Sequence, residues 1–545
     1  MKDLKKNLRH SDIFAKKKLA ICCLIPFLLI GCNSDKKSGN LDKVIFISLD
    51  TQRSDYISFY NETNAKTPNI DFFAKQGFVS NSCYSLIPIT APAHASLFYS
   101  LPPHKLGLYN NGQVFDPEKK LISLAEIFKK KGYKTAAFIS LGVLQSKFKL
   151  NRGFDLYEDS LPAQRWYLHA QEINEKVYSW LSLNKDNPFF IWIHYSDPHH
   201  PYAPPSLPPD LSVELNGEPH SEIYLQKYES LSLKFKLRKG ENHILFQVLN
   251  PFPDSRDQYR ASLNEIEFEH PDSAKISFED MHFIQREQKK SAILKNRGVI
   301  KISNLEENAE LIIKARGNIS LLSSEKKQAY QQEVEYMDYE IGKLTEVLKK
   351  MELLEKSLVI LVGDHGEGLG EDRSKYGDSY FGHIHYLYDF YMRVPMIIYD
   401  PRLENGGQRI KERTTILDVA PTLLGLMKWK KEPFYLGNDL LEKRKNTPFI
   451  FEETYAPEAI HDRFGILFYP WHIIHTPGLQ RFELYNLEAD PSEREDVFEV
   501  KKSVNETLIL KEKVQSFASD ILRSKKKVEL DPRSLEMLKS LGYIR

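Results

Sequence analysis

Short apolar runs that alternate with helical segments constrain the fold of this chain more than any other feature of its sequence. Each run is rich in β-branched or aromatic residues and is bounded by polar ones, which is typical of strands buried on both faces of a parallel sheet. The runs occupy residues 44–49, 135–139, 188–194, 358–362 and 396–399. Strands that alternate with helices predict an α/β fold, in which helices sandwich a mostly parallel sheet.

The helical segments are predicted from apolar periodicity and from stop signals. A helix at 71–77 ends in a glycine, a second helix is predicted at 121–131, and a third covers 328–350. Apolar residues of the third recur every three or four positions and therefore share one face, which we interpret as core. They are Tyr330, Val334, Met337, Ile341, Leu344 and Leu348.

The pattern changes between residues 206 and 324, where polar and apolar residues alternate. Alternation at 231–237 and 266–269, with turn signals around Asn216 and Lys239, is typical of antiparallel strands with one buried face. We therefore predict an inserted antiparallel β-sandwich at 206–324. It divides the main domain into two parts, 43–205 and 325–449, and a small α+β C-terminal subdomain follows at 450–545.

The N-terminal 31 residues have the pattern of a secretory signal peptide. Three lysines at 16–18 precede an apolar run at 19–30, which is too short to span a bilayer as a mature helix. The sequence LIGC at 29–32 resembles a bacterial lipobox, and the alternative is a plain secretory signal with a chance cysteine. We expect lipidation of Cys32, a tether at 32–42, and a lipid-anchored protein of the bacterial cell envelope, on the periplasmic face or the cell surface.

Charge and cysteine content exclude some alternatives. The chain has 75 basic and 74 acidic residues, so its formal charge of +1 gives no reason to expect a nucleic-acid partner. Of its four cysteines, Cys22 and Cys23 lie in the signal and Cys32 is the lipid acceptor. Only Cys83 remains, and the mature chain is predicted to have no internal disulfide.

A hydroxyl at a predicted helix start is the first candidate for chemistry. In the segment PITAPAHASL at 88–97, Pro92 suits the first helical position and Thr90 falls at or just before the helix N-terminus. Backbone N–H groups and the helix dipole favour anions there, so Thr90 is well placed to attack a phosphate or sulfate. The alternative is that Thr90 is only an N-cap.

Metal-capable side chains follow two of the predicted strands. Asp50 follows the first strand, and Asp364 and His365 follow the strand at 358–362. With Thr90 they make an oxygen and nitrogen set that is compatible with one divalent ion such as zinc, manganese or calcium. Taken alone, Asp50 could equally be a loop or capping aspartate.

Two further histidines could act on the substrate. His199 lies just past the strand at 188–194, and His383 follows the metal-ligand candidates along the chain. Either imidazole could protonate a leaving group or bind the ester anion. Either could instead be a surface or capping histidine.

Several motifs in order resemble the sulfatase-like proteins of the alkaline phosphatase superfamily. They are LDTQRSD (49–55), TPNID (67–71), TAPAHASL (90–97), PHHPY (198–202), GDHGE (363–367), FGH (381–383), LYD (387–389), RVP (393–395), LYNLEADP (484–491) and LGYI (541–544). The resemblance covers nearly the whole mature chain except the insertion, and it implies the alkaline-phosphatase-like fold.

Carried over by position, the resemblance implies a role for each candidate residue. It makes Asp50, Asp364 and His365 metal ligands and Thr90 both a ligand and the nucleophile. His199 and His383 become catalytic residues that act on the substrate or leaving group. His94 becomes a substrate-binding residue, and so does Asn111, for which a turn around Asn110 is the alternative.

Departures from the family pattern bear on the chemistry. Sulfatases carry Cys or Ser at the position of Thr90, oxidised to formylglycine within a Cys/Ser-x-Pro-x-Arg signature, whereas this chain has Thr90 and His94. Threonine cannot give that aldehyde, and no Pro-x-Arg follows Cys83. Thr51 replaces the second aspartate of the usual Asp-Asp pair. A threonine nucleophile resembles instead the phosphodiesterases and phosphoethanolamine or phosphoglycerol transferases of the superfamily.

The sequence therefore predicts a metal-dependent hydrolase of sulfate or phosphate esters that acts through a covalent Thr90 intermediate. One alternative is a transferase of the phosphoethanolamine or phosphoglycerol type that modifies a glycan or a lipid headgroup. Another is a catalytically dead lipoprotein that binds glycan through the insertion, because fold alone does not establish function.

Overall fold

The structure is a computed structural model. It describes residues 41–540 except 62–63, 119, 163–164, 201, 203–210, 224–229, 250–260, 281, 287–288, 295–296, 320–322, 372–379, 404–405, 443–448, 456–460 and 526–531. Cys32 lies outside the described residues. Within the part of the chain that the structure describes, no helix combines the length and apolarity that crossing a bilayer requires.

Among the described residues, the first part of the main domain alternates α-helices and strands. In chain order they are β1 (Lys43–Leu49), α1 (Pro68–Gln76), β2 (Phe78–Ser80), β3 (Cys83–Tyr84), α2 (Thr90–Tyr99), α3 (Pro103–Leu106), α4 (Leu124–Lys130), β4 (Lys134–Phe138), β5 (Leu156–Glu158), α5 (Ala170–Asn184) and β6 (Phe189–Tyr195).

The insertion consists of antiparallel strands in two five-stranded sheets. The strands are β7 (Leu211–Leu215), β8 (Glu218–Ile223), β9 (Ser230–Leu237), β10 (Gly240–Val248), β11 (Ala261–Glu269), β12 (Lys275–Glu279), β13 (His282–Arg286), β14 (Lys289–Leu294), β15 (Arg297–Asn304) and β16 (Ala309–Ile319). The sheets have the orders β12-β15-β10-β7-β8 and β13-β14-β11-β16-β9. Apolar side chains from both sheets, including Phe235, Phe246 and Ile313, form one core cluster.

The second part of the main domain returns to alternating helices and strands. It contains α6 (Ser323–Lys350), β17 (Ser357–Gly363), β18 (Gly368–Leu369), β19 (Phe381–Gly382), α7 (Asp389–Met392), β20 (Arg393–Val394), β21 (Met396–Tyr399), β22 (Gln408–Ile410), β23 (Thr414–Thr415) and α8 (Val419–Leu426). All six residues of the predicted apolar stripe on α6 are buried.

An eight-stranded sheet joins the two parts of the main domain. Its order is β22-β2-β21-β17-β1-β6-β4-β5. The neighbours β17, β1, β6, β4 and β5 pair in parallel, and β21 is antiparallel to β17. Side chains of β1 alternate between two cores: Val44 and Phe46 enter one, and Ile45 and Ile47 enter the other. The sheet is therefore buried on both faces, and the predicted fold class is confirmed.

The C-terminal subdomain is a four-stranded antiparallel sheet with helices. Its elements are β24 (Ile450–Thr454), β25 (Arg463–Phe468), β26 (Trp471–Thr476), β27 (Arg481–Asn486), α9 (Phe498–Lys501), α10 (Asn505–Ser524) and α11 (Pro532–Ser540). The buried face of α10 carries Leu510, Val514, Ala518 and Ile521. The predicted domain boundaries at 206, 324 and 450 stay predictions.

Several local helix predictions need correction. The helices predicted at 71–77 and 328–350 begin earlier, at Pro68 and Ser323. The helix predicted at 121–131 begins at Leu124, because Ser123 and Glu126 form a capping box that fixes the start. Pro92 is the third residue of α2, not the first. The first hydrogen bond within that helix runs from the N–H of Ala93 to the carbonyl of Ile89 at 3.0 Å. The N–H that proline lacks at position 92 would therefore have had no acceptor within the helix.

Candidate active site

The parallel register of the central sheet brings the predicted metal ligands together. Leu49 at the end of β1 lies beside Gly363 at the end of β17, so Asp50 and Asp364 are neighbours at the carboxyl edge. One ligand atom each from Asp50, Asp364 and His365 lie within 4.8 Å of one another, and all three residues are buried.

Each carboxylate has one oxygen that accepts from the protein and one that has no hydrogen bond among the described residues. Oδ1 of Asp364 accepts from the N–H of Thr51 at 3.1 Å and of His365 at 2.7 Å. Oδ2 of Asp50 accepts from Nε2 of His194 at 3.1 Å. Within the described residues, Oδ1 of Asp50 and Oδ2 of Asp364 are buried and have no hydrogen-bond partner.

The ring of His365 adds a third electron-rich atom. Its Nδ1–H donates to the carbonyl of Gly366 at 3.0 Å, which leaves Nε2 as the unprotonated nitrogen of the neutral ring. Nε2 lies 3.4 Å from Oδ2 of Asp364 and 3.2 Å from Oγ1 of Thr90. Two carboxylate oxygens without donors and one imidazole lone pair therefore converge, which is the donor set that a divalent cation requires.

The electrostatics of the cluster favour the same ligand. Burial, together with the charge of Glu367, raises the pKa of Asp50 well above its ordinary value. Burial and the charge of Asp50 raise the pKa of Asp364 in the same way. Burial also holds the pKa of His365 well below its ordinary value, so the ring is neutral. A bound cation would remove the cost of ionising both carboxylates.

Thr90 is the first residue of α2. The N-cap position belongs to Ile89, whose side chain makes no capping bond, so Thr90 is not the N-cap. The Asn111 carbonyl Oδ1 accepts from the N–H of Ala91 at 2.8 Å, which places this amide beside the residue that follows Thr90. Among the described residues, the Nδ2 group of Asn111 is buried without a hydrogen bond.

His94 links Thr90 to Ser48 and Trp192 through a series of hydrogen bonds. Its Nδ1–H donates to the carbonyl of Thr90 at 2.8 Å, and its Nε2 accepts from the hydroxyl of Ser48 at 3.0 Å. Ser48 in turn accepts from Nε1–H of Trp192 at 2.8 Å. Since protein groups engage both ring nitrogens, these contacts favour a role in positioning Thr90, and the substrate-binding role stays a prediction.

His199 and His383 both lie beside the cluster. The ring of His383 is 4.5 Å from that of His365, and the ring of His199 is 5.0 Å from that of His383. Nδ1–H of His383 donates to Oε2 of Glu367 at 2.7 Å. Burial lowers the pKa of His383 to about 3 and lowers the pKa of His199 well below its ordinary value. The structure thus brings every predicted metal, nucleophile and leaving-group residue into one region.

Comparison with known proteins decides the family. The sulfatase family model matches residues 42–429, which is most of the chain. The chain belongs to the sulfatase family. A second model, N-sulphoglucosamine sulphohydrolase, C-terminal, matches residues 377–520. Sulfatases are ester hydrolases and typically depend on a metal ion, and this chain has a cluster that could bind one.

Similar sulfatases and related hydrolases cover nearly the full chain at low identity. An N-acetylglucosamine-6-O-sulfatase of Bacteroides thetaiotaomicron is 22% identical over 538 residues, which cover 91% of this chain and 90% of its own length. The structure of BT4656 with its substrate D-glucosamine-2-N,6-O-disulfate has a TM-score of 0.58 at 16% identity and covers 88% of this chain and 98% of its own. A phosphonate monoester hydrolase of Agrobacterium radiobacter has a TM-score of 0.54 at 15% identity, with 88% and 96% coverage.

Thr51 and Cys83, both singled out from the sequence, have defined surroundings in the structure. Thr51 has a φ of +54°, which is unusual for a β-branched residue, and its hydroxyl donates to the carbonyl of Asp50 at 2.7 Å. That hydroxyl therefore contacts the backbone, while the N–H of Thr51 holds Asp364. Cys83 is buried in β3, and its Sγ lies 3.9 Å from Sδ of Met396.

Sequence reasoning missed several residues of the site. His194, Ser48 and Trp192 hold the side chains of Asp50 and His94, and Glu367 holds His383. The signal for His194 was present, because it sits opposite Ser48 in the parallel pair of β6 and β1, one step before the strand end. Glu367 is part of the GDHGE motif at 363–367, but no local pattern gave it a role, because its partner lies 16 residues further along the chain.

Proposed function

We propose that this sulfatase-family chain hydrolyses sulfate or phosphate esters through a covalent ester on Thr90. One observation carries the proposal: a hydroxyl at the start of α2 lies 3.2 Å from an imidazole nitrogen of the metal-capable cluster. Coordination to a divalent ion is an established way to activate a hydroxyl nucleophile. The attacked atom is sulfur in a sulfate ester and phosphorus in a phosphate ester.

The residues of the cluster fit one divalent ion. Asp50, Asp364, His365 and Thr90 would hold it, and the oxygen and nitrogen set suits zinc, manganese or calcium. When bound, such an ion supplies Lewis-acid polarisation of the ester and a lower pKa for the nucleophile. Stoichiometric metal in the purified protein would support this assignment, and its absence would favour a glycan-binding protein without activity.

The other residues of the site would orient the ester and transfer protons to and from it. The carbonyl of Asn111 is engaged by Ala91, so its amide Nδ2 is the group that can donate to an ester oxygen. His199 and His383 would exchange a proton with the leaving group. The Trp192–Ser48–His94 chain would hold the carbonyl of Thr90 and with it the first turn of α2.

We propose sulfate or phosphate esters on glycans as substrates. The proposal rests on the names of similar proteins, which include an N-acetylglucosamine-6-O-sulfatase and BT4656 in complex with its substrate D-glucosamine-2-N,6-O-disulfate. Thr90 also supports phosphate esters as substrates, because threonine cannot form the formylglycine aldehyde. A protein of similar fold is a phosphonate monoester hydrolase. A screen of 4-nitrophenyl sulfate, phosphate, phosphodiester and phosphonate esters with several metals, followed by sulfated glycans, separates these classes.

The nucleophile is tested by substitution and trapping. Thr90→Ala should abolish turnover, and Thr90→Ser should retain some activity with phosphate esters, because the hydroxyl survives. Thr345→Ala is a matched control, since it removes another buried hydroxyl, which bonds the carbonyl of Ile341 at 2.8 Å in α6. Acid quenching during turnover should leave phosphate or sulfate on Thr90 in the mass spectrum. Unmodified Thr90 throughout a demonstrable burst would rule out the covalent route.

We also propose that the chain is a lipoprotein of the bacterial cell envelope, anchored through Cys32. The proposal rests on the signal-like run and the lipobox-like LIGC at 29–32. Metabolic labelling with an alkyne fatty acid should mark the wild-type protein and leave Cys32→Ser unmarked. Equal labelling of both proteins would contradict the anchor.

A further inference from the structure

The imidazole of His383 is held from behind by a buried carboxylate. Its Nδ1–H donates to Oε2 of Glu367 at 2.7 Å, and Oε1 of Glu367 accepts from the hydroxyl of Tyr202 at 2.7 Å. All three residues are at most 4% exposed. Donors thus engage both carboxylate oxygens, so Glu367 has a single orientation, and this orientation fixes the proton of His383 on Nδ1.

The backbone around His383 is also held in an uncommon conformation. Gly382 has a φ of +118° and Ile384 a φ of +88°, and the latter is a true outlier for a β-branched residue. The hydroxyl of Thr454 donates to the carbonyl of Ile384, and the Arg463 guanidinium donates to the carbonyl of His385. Strain of this kind persists only where the surroundings enforce it, and it concentrates at functional positions.

The contacts that hold His383 and the two residues after it come from three regions of the molecule. Glu367 follows β17 by four residues and stands two residues after His365. Tyr202 lies where the chain enters the insertion, and Thr454 and Arg463 belong to the C-terminal subdomain. Long-range contacts thus hold both the ring of His383 and the backbone that follows it, next to His365, which indicates that the direction of this ring matters for the reaction.

We propose that Glu367, held by Tyr202, is a positioning residue that aims Nε2 of His383 at the leaving-group oxygen. The proposal rests on the proposed function for the reaction that it serves. Glu367 acts through His383 and does not itself contact the ester. Its carboxylate also balances the charge of the ring while the ring carries protons on both nitrogens.

The step balances as follows in atoms and charge. The hydroxyl of Thr90 gives its proton to Nε2 of the neutral His383 ring as its oxygen bonds to phosphorus or sulfur and the bond to the leaving oxygen breaks. The leaving oxygen takes that proton from Nε2, and the ring is neutral again with Nδ1–H still donated to Glu367. A water then gives a proton to Nε2 as its oxygen bonds to phosphorus or sulfur. The bond to Thr90 breaks, and the Thr90 oxygen takes the proton from Nε2.

Leaving-group dependence tests the step in the metal-loaded enzyme. An alkyl ester needs protonation of its leaving oxygen far more than a 4-nitrophenyl ester of the same acid. Glu367→Gln should therefore lower kcat by about 100-fold for the alkyl ester and by less than about 10-fold for the 4-nitrophenyl ester. Tyr202→Phe should show the same bias with smaller losses. Tyr157→Phe, which removes a 2.7 Å bond to the carbonyl of Leu144, should change neither rate.

A double-mutant cycle asks whether Glu367 acts through His383. If it does, Glu367→Gln should cost nothing further in a His383→Asn background. Full additivity of the two losses, or equal losses for both esters, would overturn the proposal.

A crystal structure of the metal-loaded Glu367→Gln variant gives a readout that does not need turnover. The ring of His383 should rotate or lose its single orientation. A ring that keeps the wild-type position in the variant would overturn the proposal, even if no ester were turned over. If the ring is displaced in the variant but the wild-type protein turns over no ester, the proposed reaction is wrong and the positioning role of Glu367 stands.

Discussion

Two buried clusters in this protein use the same residue types and have opposite electrostatics. The candidate metal site contains Asp50, Asp364 and His365. A second cluster, in the C-terminal subdomain, contains Glu452, Glu493 and His472. Each has two carboxylates and one imidazole at almost no exposure, so composition and burial do not separate them.

Geometry separates them. In the C-terminal triad the imidazole lies between the carboxylates: Nδ1–H of His472 donates to Oε1 of Glu493 at 2.5 Å, and Nε2–H donates to Oε2 of Glu452 at 2.9 Å. Burial opposes the charge, but the two carboxylates outweigh it and raise the pKa of His472 to about 10. Gly465 on the intervening strand makes room, since a Cβ there would come within 3.2 Å of Nε2 of His472.

In the metal cluster the imidazole is turned away from this role. Nδ1–H of His365 donates to the backbone carbonyl of Gly366, so the lone pair of Nε2 faces Oδ2 of Asp364. In the triad the imidazolium of His472 counters the charge of the carboxylates, whereas the metal cluster requires a bound metal ion to do so. Buried charges are tolerated only when paired, and the two clusters meet that condition in different ways.

The largest expected effect is on turnover. Asp364→Asn should lower kcat/KM by about 10³-fold or more, because it weakens the binding of an ion worth several kcal/mol in the transition state. The same variant should make the metal-free protein more stable to urea, since an amide replaces a carboxylate that is costly to ionise. Equal or lower stability in the presence of a chelator would break the comparison.

The matched change in the triad should act in the opposite sense on stability. Glu452→Gln should lower the free energy of unfolding by about 3–5 kcal/mol, because it leaves a buried imidazolium with one fewer counter-charge. Urea unfolding measured beside Asp364→Asn checks the contrast. An unchanged free energy of unfolding would mean that the imidazole and carboxylates of the triad are not ionised.

Metal addition should distinguish the clusters next. At about 100 times its dissociation constant, the bound ion should raise the free energy of unfolding of the wild type by about 2.7 kcal/mol. Glu452→Gln should gain as much as the wild type, and Asp364→Asn should gain little. Thermal unfolding with and without zinc or manganese measures all three, and a full gain in Asp364→Asn would place the metal elsewhere.

The smallest effect concerns pH. The folded pKa of His472 is raised to about 10 from an ordinary value near 6.5, so the folded state binds the extra proton. The stability contributed by the triad is fully present below that ordinary value and is lost as pH rises through the folded pKa. Between pH 8 and 9 it should fall by about 1.4 kcal/mol. His472→Gln should lack this slope, and an unchanged slope would assign it to other groups.

Much of the fold and part of the site were predictable from local pattern. The apolar runs around residues 46 and 360 predicted parallel strands, and the polar residues that follow them had to meet at one sheet edge. The stripe on α6 and the alternation in the insertion likewise encode burial directly. Errors stayed at element ends, where capping by Ser123 or the position of Pro92 depends on single contacts.

The sequence by itself determined the class of the sheet, the edge at which Asp50 meets Asp364 and His365, and the presence of a hydroxyl at the start of α2. The tertiary structure decided what each of these side chains faces. The backbone donor for Asp364 comes from a residue 313 positions away, and the carboxylates around His472 lie on separate segments. Periodicity records only which face of an element is buried. The direction of a lone pair or a proton depends on hydrogen bonds between distant segments, and these exist only once the chain has folded.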